Sequence, residues 1–330
     1  DRFVRAIILR NMRVLELYSG IGGMRYAVRE SNITAEVTAA VDINTMANRV
    51  YQHNFPNTRL LQRNIESFTA DEINSYNIDM IVMSPPCQPF TRVGLKKDLL
   101  DNRSCSFSHL LKIFPQLKPN WRYLLVENVK GFESSAACQQ LLDVLCELQF
   151  SCQQFILSPC AFSIPNTRHR YYLVAKRRPL CFFFPLDSHV MESLPDCIKD
   201  SSTHEKLNSL ISKHSSKVRN KCFSLSHILE TDKPAVHLEQ FCIPDKILGK
   251  HASVLDIVGP ESERSCCFTK AYSRYAEGTG SVLCSQPLQV VADCFEKCVS
   301  GSDEHLEVLR SLKATLLYAA RGRWPHVLSK

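Results

Sequence analysis

The chain has 330 residues, of which 45% are hydrophobic, and it carries a formal net charge of +7. This length suits one large core domain with a smaller lobe, and the basic balance favours a polyanionic partner. No run approaches the roughly 18 apolar residues of a membrane span, and the apolar patch at residues 6–9 is too short for a signal peptide. We therefore expect a cytoplasmic protein with no membrane partner, the nucleus being the alternative location.

The 15 cysteines are not spaced as in a disulfide-bonded or a metal-binding protein. Their number is odd and their spacing is scattered, which argues against a disulfide framework. No C-x-x-C pair occurs, and Cys294 and Cys298 have the spacing of a helical turn. We therefore expect no metal site.

Strand-like and helix-like stretches alternate through the first half of the chain. In chain order they predict strands at 13–18, 37–41, 80–83, 123–126, 153–157 and 171–175, and helices at 24–31, 45–53, 104–117 and 139–148. This repetition is typical of an α/β protein with a doubly wound, mostly parallel sheet. The periodicity weakens after Arg178, and the Ser- and Lys-rich residues 200–221 are either a solvated linker or a surface that faces a polyanion.

A glycine-rich turn, S-G-I-G-G at residues 19–23, joins the first predicted strand to the first predicted helix. Such a turn lets the backbone approach a ligand closely and directs helix N–H groups at it. Position 25 is an arginine, so the dinucleotide pattern G-x-G-x-x-G is broken. Asp42 ends the next strand, where a carboxylate can bind ribose hydroxyls. The competing interpretation is a tight turn with a capping aspartate.

The sequence S-P-P-C-Q-P-F at residues 84–90 follows the third predicted strand. Ligands in doubly wound folds bind beyond the carboxyl ends of the strands. The prolines fix φ repeatedly, so the loop is stiff and presents Cys87 in a defined position. We interpret Cys87 as a nucleophile, the alternative being a buried cysteine in a proline turn.

Two further segments add charged groups near the same predicted edge. Glu127 follows the strand predicted at 123–126, and it gains weight because Cys87 is expected on the same edge. Arg168 and Arg170 are two residues apart, so on a strand they would share a face. That pair suits an anionic or carbonyl-bearing ligand.

In this order, these four segments resemble the cytosine-5 methyltransferase family over about residues 13–286. The glycine turn is similar to the family's S-adenosylmethionine motif, P-P-C-Q to its catalytic loop, E-N-V to its acid motif and R-H-R to its arginine motif. The resemblance implies an S-adenosylmethionine-dependent methyltransferase fold with a smaller target-recognition lobe. We expect a catalytic and cofactor-binding domain at 1–178, a target-recognition region at 179–295 and an atypical C-terminal segment at 296–330.

The resemblance also implies roles for individual residues. The Cys87 thiolate would attack C6 of cytosine while protonated Glu127 supports N3, and Arg168 and Arg170 would orient the base and the active-site carboxyl group. C5 would then take the methyl group of S-adenosylmethionine, after which the C5 proton and Cys87 would leave. The implied cofactor-binding residues are Tyr18, Ile21, Gly22, Gly23, Asp42, Ile65, Glu66 and Ser84.

The sequences C-F-T-K at 267–270 and E-G-T-G-S-V-L at 277–283 resemble the signature of one branch of the family. That branch is the tRNA cytosine-5 methyltransferases, which modify an anticodon-loop cytosine of tRNA-Asp, at position 38. The resemblance therefore implies tRNA as the partner of a monomeric enzyme and disfavours DNA.

The C-terminal segment departs from the family pattern. Members end with a G-N-S segment that completes the cofactor pocket, and none is found here, so a truncated or alternatively terminated form is expected. Three alternatives stay open. They are a non-catalytic variant that binds RNA or a partner, a DNA methyltransferase of the same chemistry, and a nicotinamide dehydrogenase, which the broken glycine pattern disfavours.

Overall fold

The computed structural model describes residues 11–86, 105–195, 222–229, 242–269, 271–272, 274–284, 286–298 and 316–318. Four segments interpreted from the sequence lie outside the described residues: the apolar patch at 6–9, residues 87–104 with Cys87, the Ser- and Lys-rich residues 200–221, and the C-terminal segment 296–330 apart from residues 296–298 and 316–318. Within the described ranges, no helix is both long and apolar enough to cross a membrane. In the same ranges, no three His, Cys, Asp or Glu side chains are grouped so that they could hold a metal ion.

One sheet contains seven strands. They are β1 (Met12–Leu17), β2 (Ala35–Val41), β3 (Leu60–Leu61), β4 (Met80–Met83), β5 (Tyr123–Val129), β6 (Phe150–Leu157) and β7 (Arg170–Arg177). Their order across the sheet is β3-β2-β1-β4-β5-β7-β6, in which β7 runs antiparallel to β5 and β6 and every other adjacent pair is parallel. The order reverses between β1 and β4, which is the switch point where such sheets bind ligands. The predicted doubly wound, mostly parallel sheet is confirmed.

Helices connect these strands within the described ranges. They are α1 (Gly23–Glu30), α2 (Thr45–Asn54), α3 (Ala70–Ser75), α4 (Cys105–Ile113) and α5 (Ala136–Glu147). The side chain of Asn44 accepts hydrogen bonds from two backbone N–H groups at the start of α2, and that of Ser135 accepts one at the start of α5. α2 ends two residues before Pro56, as its sequence predicts.

The sheet buries apolar side chains on both faces, as expected for strands covered by helices on each side. The side chains at the centre of one face are Leu15, Leu17, Ile81, Met83, Leu124 and Val126. Those of the other face include Val14, Val82, Tyr51 and Phe55. Alternate residues of β1 therefore support different layers, and the sheet forms a rigid base for the loops at its edges.

Two predicted strand ends need correction. β5 continues through Glu127 to Val129, because these residues pair with β7. Glu127 therefore lies within the strand rather than after it. β7 begins at Arg170, so Arg168 precedes the strand, and the predicted shared strand face of the two arginines was wrong. Hydropathy does not reveal these ends, because polar residues also take part in backbone pairing.

Chain contacts separate two compact units, residues 1–157 with 169–207 and residues 158–168 with 208–330. The first contains the seven-stranded sheet. The second contains α6 (Asp245–His251), β8 (Asp256–Val258), β9 (Ser281–Cys284), α7 (Leu288–Cys298) and β10 (Leu316–Tyr318). β9 pairs with both other strands of this small sheet. These units differ from the expected boundary at residue 178, and the functional division into three regions stays a prediction.

Candidate active site

The strand register brings predicted site residues together in one row. Across the sheet, Val41 of β2 pairs with Leu17 of β1, Leu17 with Met83 of β4, and Met83 with Val126 of β5. The first three are the last residues of their strands, and Val126 lies in the middle of β5. The residues that follow them are Asp42, Tyr18, Ser84 and Glu127, and we call these four the active-site row. Neighbouring strands are about 4.8 Å apart, so the row spans about 14 Å of the carboxyl edge.

The glycine turn between β1 and α1 is held by backbone hydrogen bonds. The Gly22 N–H donates to the Ser19 carbonyl oxygen at 2.9 Å. Gly22 has a φ of +95°, a conformation that favours glycine. A Cβ atom at this position would also lie 2.5 Å from the ring of Phe55. Gly22 is therefore required by both its conformation and its packing.

The other side of the turn has room for a ligand. A Cβ atom at Gly20 or Gly23 would meet no atom of the described chain within 4 Å. Gly23 begins α1, whose first N–H groups have no partner within the helix and can bind a carboxylate. The side chain of Ile21 is exposed beside them. These features fit an amino-acid-bearing nucleoside such as S-adenosylmethionine.

Asp42 connects the glycine turn to the start of α2. Its Oδ2 accepts a hydrogen bond from the Gly20 N–H at 2.8 Å, and its Oδ1 accepts one from the Asn44 N–H at 2.7 Å. A carboxylate has about four acceptor sites, so both oxygens can still accept bonds from ribose hydroxyls.

Ile43 was not predicted from the sequence. Its side chain is 66% exposed and follows Asp42 directly. An exposed aliphatic group beside an acid at a strand end suits one face of an adenine ring. The available signal was a large apolar residue immediately after a strand-end acid.

Three of the implied cofactor-binding residues, Ile65, Glu66 and Tyr18, have different surroundings. Ile65 begins a short 3₁₀ turn, and its side chain is buried in the core, so it supports this region from behind. Glu66 is exposed. The Tyr18 hydroxyl shares a hydrogen bond with Ser106 at 3.1 Å, and burial raises the pKa of Tyr18 above its ordinary value. Tyr18 is therefore a neutral hydrogen-bonding group directly before the glycine turn.

Glu127 and Arg170 form an ion pair at the other end of the row. The distance from Arg170 Nε to Glu127 Oε1 is 3.3 Å, and both side chains are partly buried. In the β5–β7 register Glu127 lies opposite Tyr172, so Arg170 is its diagonal neighbour. The arginine thus fixes the orientation of the carboxyl group, as the resemblance implied for one of the two arginines.

Asn128 is a second residue that sequence reasoning missed. Its side chain is only 2% exposed, and its Nδ2 donates to the carbonyl oxygen of Pro85 at 3.4 Å. Pro85 lies two residues before Cys87, so Asn128 joins β5 to the described start of the proline-rich loop. The E-N-V motif contained the signal, a buried amide next to the acid.

Arg168 belongs to the second compact unit, and its side-chain partners lie in the same unit. Its Nη1 lies 2.7 Å from Cys267 Sγ and 3.4 Å from the carbonyl oxygen of Phe268. These partners are the first two residues of the C-F-T sequence. The structure thus joins two sequence motifs, and the predicted contact of Arg168 with the base stays a prediction.

A buried acid lies on the strand that leads into the glycine turn. Glu16 is fully buried, and its Oε2 accepts a hydrogen bond from the Tyr51 hydroxyl at 2.7 Å. Burial raises the pKa of the Glu16 carboxyl group to about 7, while Tyr51 and Arg25 oppose the shift. Glu16 Oε1 and Arg25 Nε are both buried without a hydrogen-bond partner in the described part of the chain.

The sheet order, the glycine turn and the strand-end acid together define the class of S-adenosylmethionine-dependent methyltransferases. The model of the C-5 cytosine-specific DNA methylase family matches residues 12–252, and the chain belongs to this family. The predicted resemblance is confirmed, and S-adenosylmethionine is the methyl donor.

The relatives of the chain include enzymes whose names give tRNA as the substrate and an enzyme whose name gives DNA. A tRNA (cytosine(38)-C(5))-methyltransferase from Spodoptera frugiperda is 44% identical over 304 residues, which cover 91% of this chain and 83% of that protein. A DNA (cytosine-5)-methyltransferase from Dictyostelium discoideum is 36% identical over 292 residues, covering 83% of this chain and 76% of that protein. A crystal structure of a Spodoptera frugiperda DNMT2 mutant has a TM-score of 0.77 at 42% identity, covering 94% of this chain and 86% of that one.

Proposed function

We propose that the chain methylates C5 of a cytosine in the anticodon loop of a tRNA, the position numbered 38 in tRNA-Asp. The observation that carries this proposal is the active-site row. Asp42, an acid suited to ribose hydroxyls, lies at one end of it, and Glu127, which is paired with Arg170, lies at the other. The 44% identity to an enzyme named for this reaction supports tRNA as the substrate. That the enzyme acts as a monomer in the cytoplasm or nucleus stays a prediction.

The end of the row that contains Glu127, which we call the base half, would activate cytosine. C5 is a poor nucleophile until a group adds at C6, and we assign that addition to the Cys87 thiolate. Glu127 would donate a hydrogen bond to N3 and make the ring electron-poor. Arg170 holds Glu127, and Asn128 holds Pro85, so both catalytic groups extend from fixed points. The target base must leave its stack to reach them, which costs less in a loop than in a duplex.

The end of the row that contains Asp42, which we call the cofactor half, would orient the methyl donor. Asp42 would bind the ribose hydroxyls, Ile43 and Ile21 would contact apolar faces, and the start of α1 would bind the carboxylate. Glu66 and Ser84 would complete the wall. S-adenosylmethionine supplies the electrophilic methyl group when bound. We propose Arg168 as a positioning residue for Cys267 and Phe268, because it contacts both.

The second candidate function is methylation of DNA. The 36% identity to an enzyme named for that reaction favours it, because the chemistry at cytosine is the same. A variant that binds RNA without catalysis is the third candidate.

Transfer of a tritiated methyl group to total tRNA and to duplex DNA separates these candidates. We expect incorporation into tRNA that is abolished in Cys87→Ala and retained in Cys146→Ala, a control at an exposed cysteine. Incorporation into DNA alone would replace tRNA as the substrate. A folded protein that binds S-adenosylmethionine and methylates neither would support the non-catalytic form.

A further inference from the structure

β7 carries cationic side chains at both of its ends. Arg170 lies at the active-site end, while Lys176, Arg177 and the following Arg178 lie at the other. Because β7 is antiparallel to β5, its last residues reach the edge of the sheet opposite to Glu127. At about 3.3 Å per residue, the two ends are about 20 Å apart.

A turn with three phenylalanines packs back onto this end of β7. The Lys176 ammonium group lies 4.9 Å from the centre of the Phe182 ring. Phe182 and Phe183 both contact Phe184, with ring centres 5.2 and 5.4 Å apart, and Phe184 is buried against Phe155. Phe184 therefore anchors the turn on the sheet. We call Lys176, Arg177, Arg178, Phe182 and Phe183 the basic aromatic patch.

Two cations of the patch have neutral hydrogen-bond partners in the described chain: the Lys176 ammonium group donates to the Cys181 carbonyl oxygen at 3.3 Å, and Arg178 Nε donates to the Ser151 hydroxyl oxygen at 3.5 Å. Phe183 is 71% exposed, the largest value among the exposed large apolar side chains of the described residues. Arg178 is exposed and Lys176 is partly exposed, whereas Arg177 Nη1 is buried and its guanidinium group lies 5.7 Å from the centre of the Phe150 ring. Lys176 and Arg178 are therefore the accessible cations of the patch.

Within the described ranges, no ion pair joins Lys176, Arg177 or Arg178 to an acidic side chain. The nearest acid along the chain after the patch, Asp187, instead contacts His189.

We propose that the basic aromatic patch is a second contact for the tRNA, in which its cations bind phosphates and Phe183 stacks on an unpaired base. Arginine donors match phosphate geometry, and every base offers a face to an aromatic ring. This inference rests on the proposed function. A large polyanion whose target base is bound at the active-site row can also reach a surface about 20 Å away. RNA fits better than duplex DNA, whose base faces are stacked and cannot meet Phe183.

The test compares Arg178→Glu and Phe183→Ala, singly and together, with Lys118→Glu, a charge reversal at an exposed lysine outside the patch. We measure the Kd for full-length tRNA at several salt concentrations, and the KM values for tRNA and S-adenosylmethionine. We expect the double variant to bind tRNA about tenfold more weakly and to lose about one unit of salt slope for the reversed arginine. The KM for S-adenosylmethionine and all values for Lys118→Glu stay at wild-type levels.

A second substrate keeps the result specific to the distant surface. An anticodon stem-loop that is too short to extend about 20 Å should bind and react equally well with wild type and with the patch variants. Equal weakening on the stem-loop, or unchanged binding of full-length tRNA, would overturn the proposal. So would patch-dependent binding to anionic vesicles without an effect on tRNA. Patch-dependent tRNA binding without any methyl transfer by the wild type would support the patch and refute the proposed function.

Discussion

At the cofactor half of the active-site row, Asp42 and the glycine turn are held by backbone hydrogen bonds, whereas at the base half Glu127 is held by the side chain of Arg170. The first arrangement is local to β1, β2 and their loops. The second depends on the pairing of β5 with β7, two segments far apart in the chain. Changes in the cofactor half should therefore alter cofactor binding and stability, and changes in the base half should alter the rate of methyl transfer.

The largest expected effect is that of Glu127→Gln. The amide cannot donate an acidic proton to N3, so kcat for methyl transfer should fall by about 100-fold or more, while the Kd for S-adenosylmethionine stays unchanged. Single-turnover methyl transfer and cofactor titration measure the two quantities. Glu147→Gln, at an exposed position of α5, is the control. A similar loss in both variants would contradict the assignment.

Glu16→Gln tests the buried layer that supports the cofactor half. The carboxyl pKa is about 7 in the folded protein and 4.5 ordinarily, so both states are protonated at low pH. As pH rises from about 4.5 to 7, the unfolded chain releases this proton while the folded chain retains it, so wild type loses stability that the uncharged variant keeps. The free energy of unfolding of the variant relative to wild type should rise by about 3 kcal/mol between pH 4.5 and pH 8.

Urea unfolding at several pH values measures this difference. The same Glu147→Gln variant should show no such trend, because its side chain is exposed. A difference for Glu16→Gln that stays constant with pH would show that the acid does not titrate in this range.

Asp42→Ala should weaken S-adenosylmethionine binding by about 10- to 100-fold, which corresponds to losing charge-assisted hydrogen bonds. The same change removes the acceptor of the Gly20 N–H. At saturating cofactor, kcat should approach the wild-type value, because the base half is intact. Asp42→Asn keeps one acceptor oxygen and should recover part of the affinity. Equal affinity for all three proteins in a calorimetric titration would exclude Asp42 from the cofactor site.

The smallest expected effect is that of Gly22→Ala. The left-handed φ and the close Phe55 ring should lower the free energy of unfolding by about 2 kcal/mol. Gly23→Ala is the matched control, because its Cβ atom meets no described neighbour. It should leave stability unchanged and weaken cofactor binding. Equal stability of the two variants in chemical unfolding would contradict this distinction.

The same comparison explains what the sequence predicted. The fold class, the glycine turn and Asp42 at the end of β2 depend on hydropathy and turn residues over short stretches, and the sequence carries these signals directly. The position of Glu127 inside β5 and the partners of Asn128 and Arg168 depend on contacts with remote segments. The side chain of Ile65 was expected in the cofactor site, but its packing in the core depends on tertiary contacts as well.

The two backbone bonds of Asp42 also link ligand occupancy to thermal resistance. A ligand that binds this carboxylate restrains the ends of β1 and β2 together, so it binds the folded chain in preference to the unfolded one. At 100 times its Kd, such a ligand adds about 2.7 kcal/mol to the free energy of unfolding. The melting temperature of the chain therefore reports how much of the protein has bound the cofactor, even when no RNA is present.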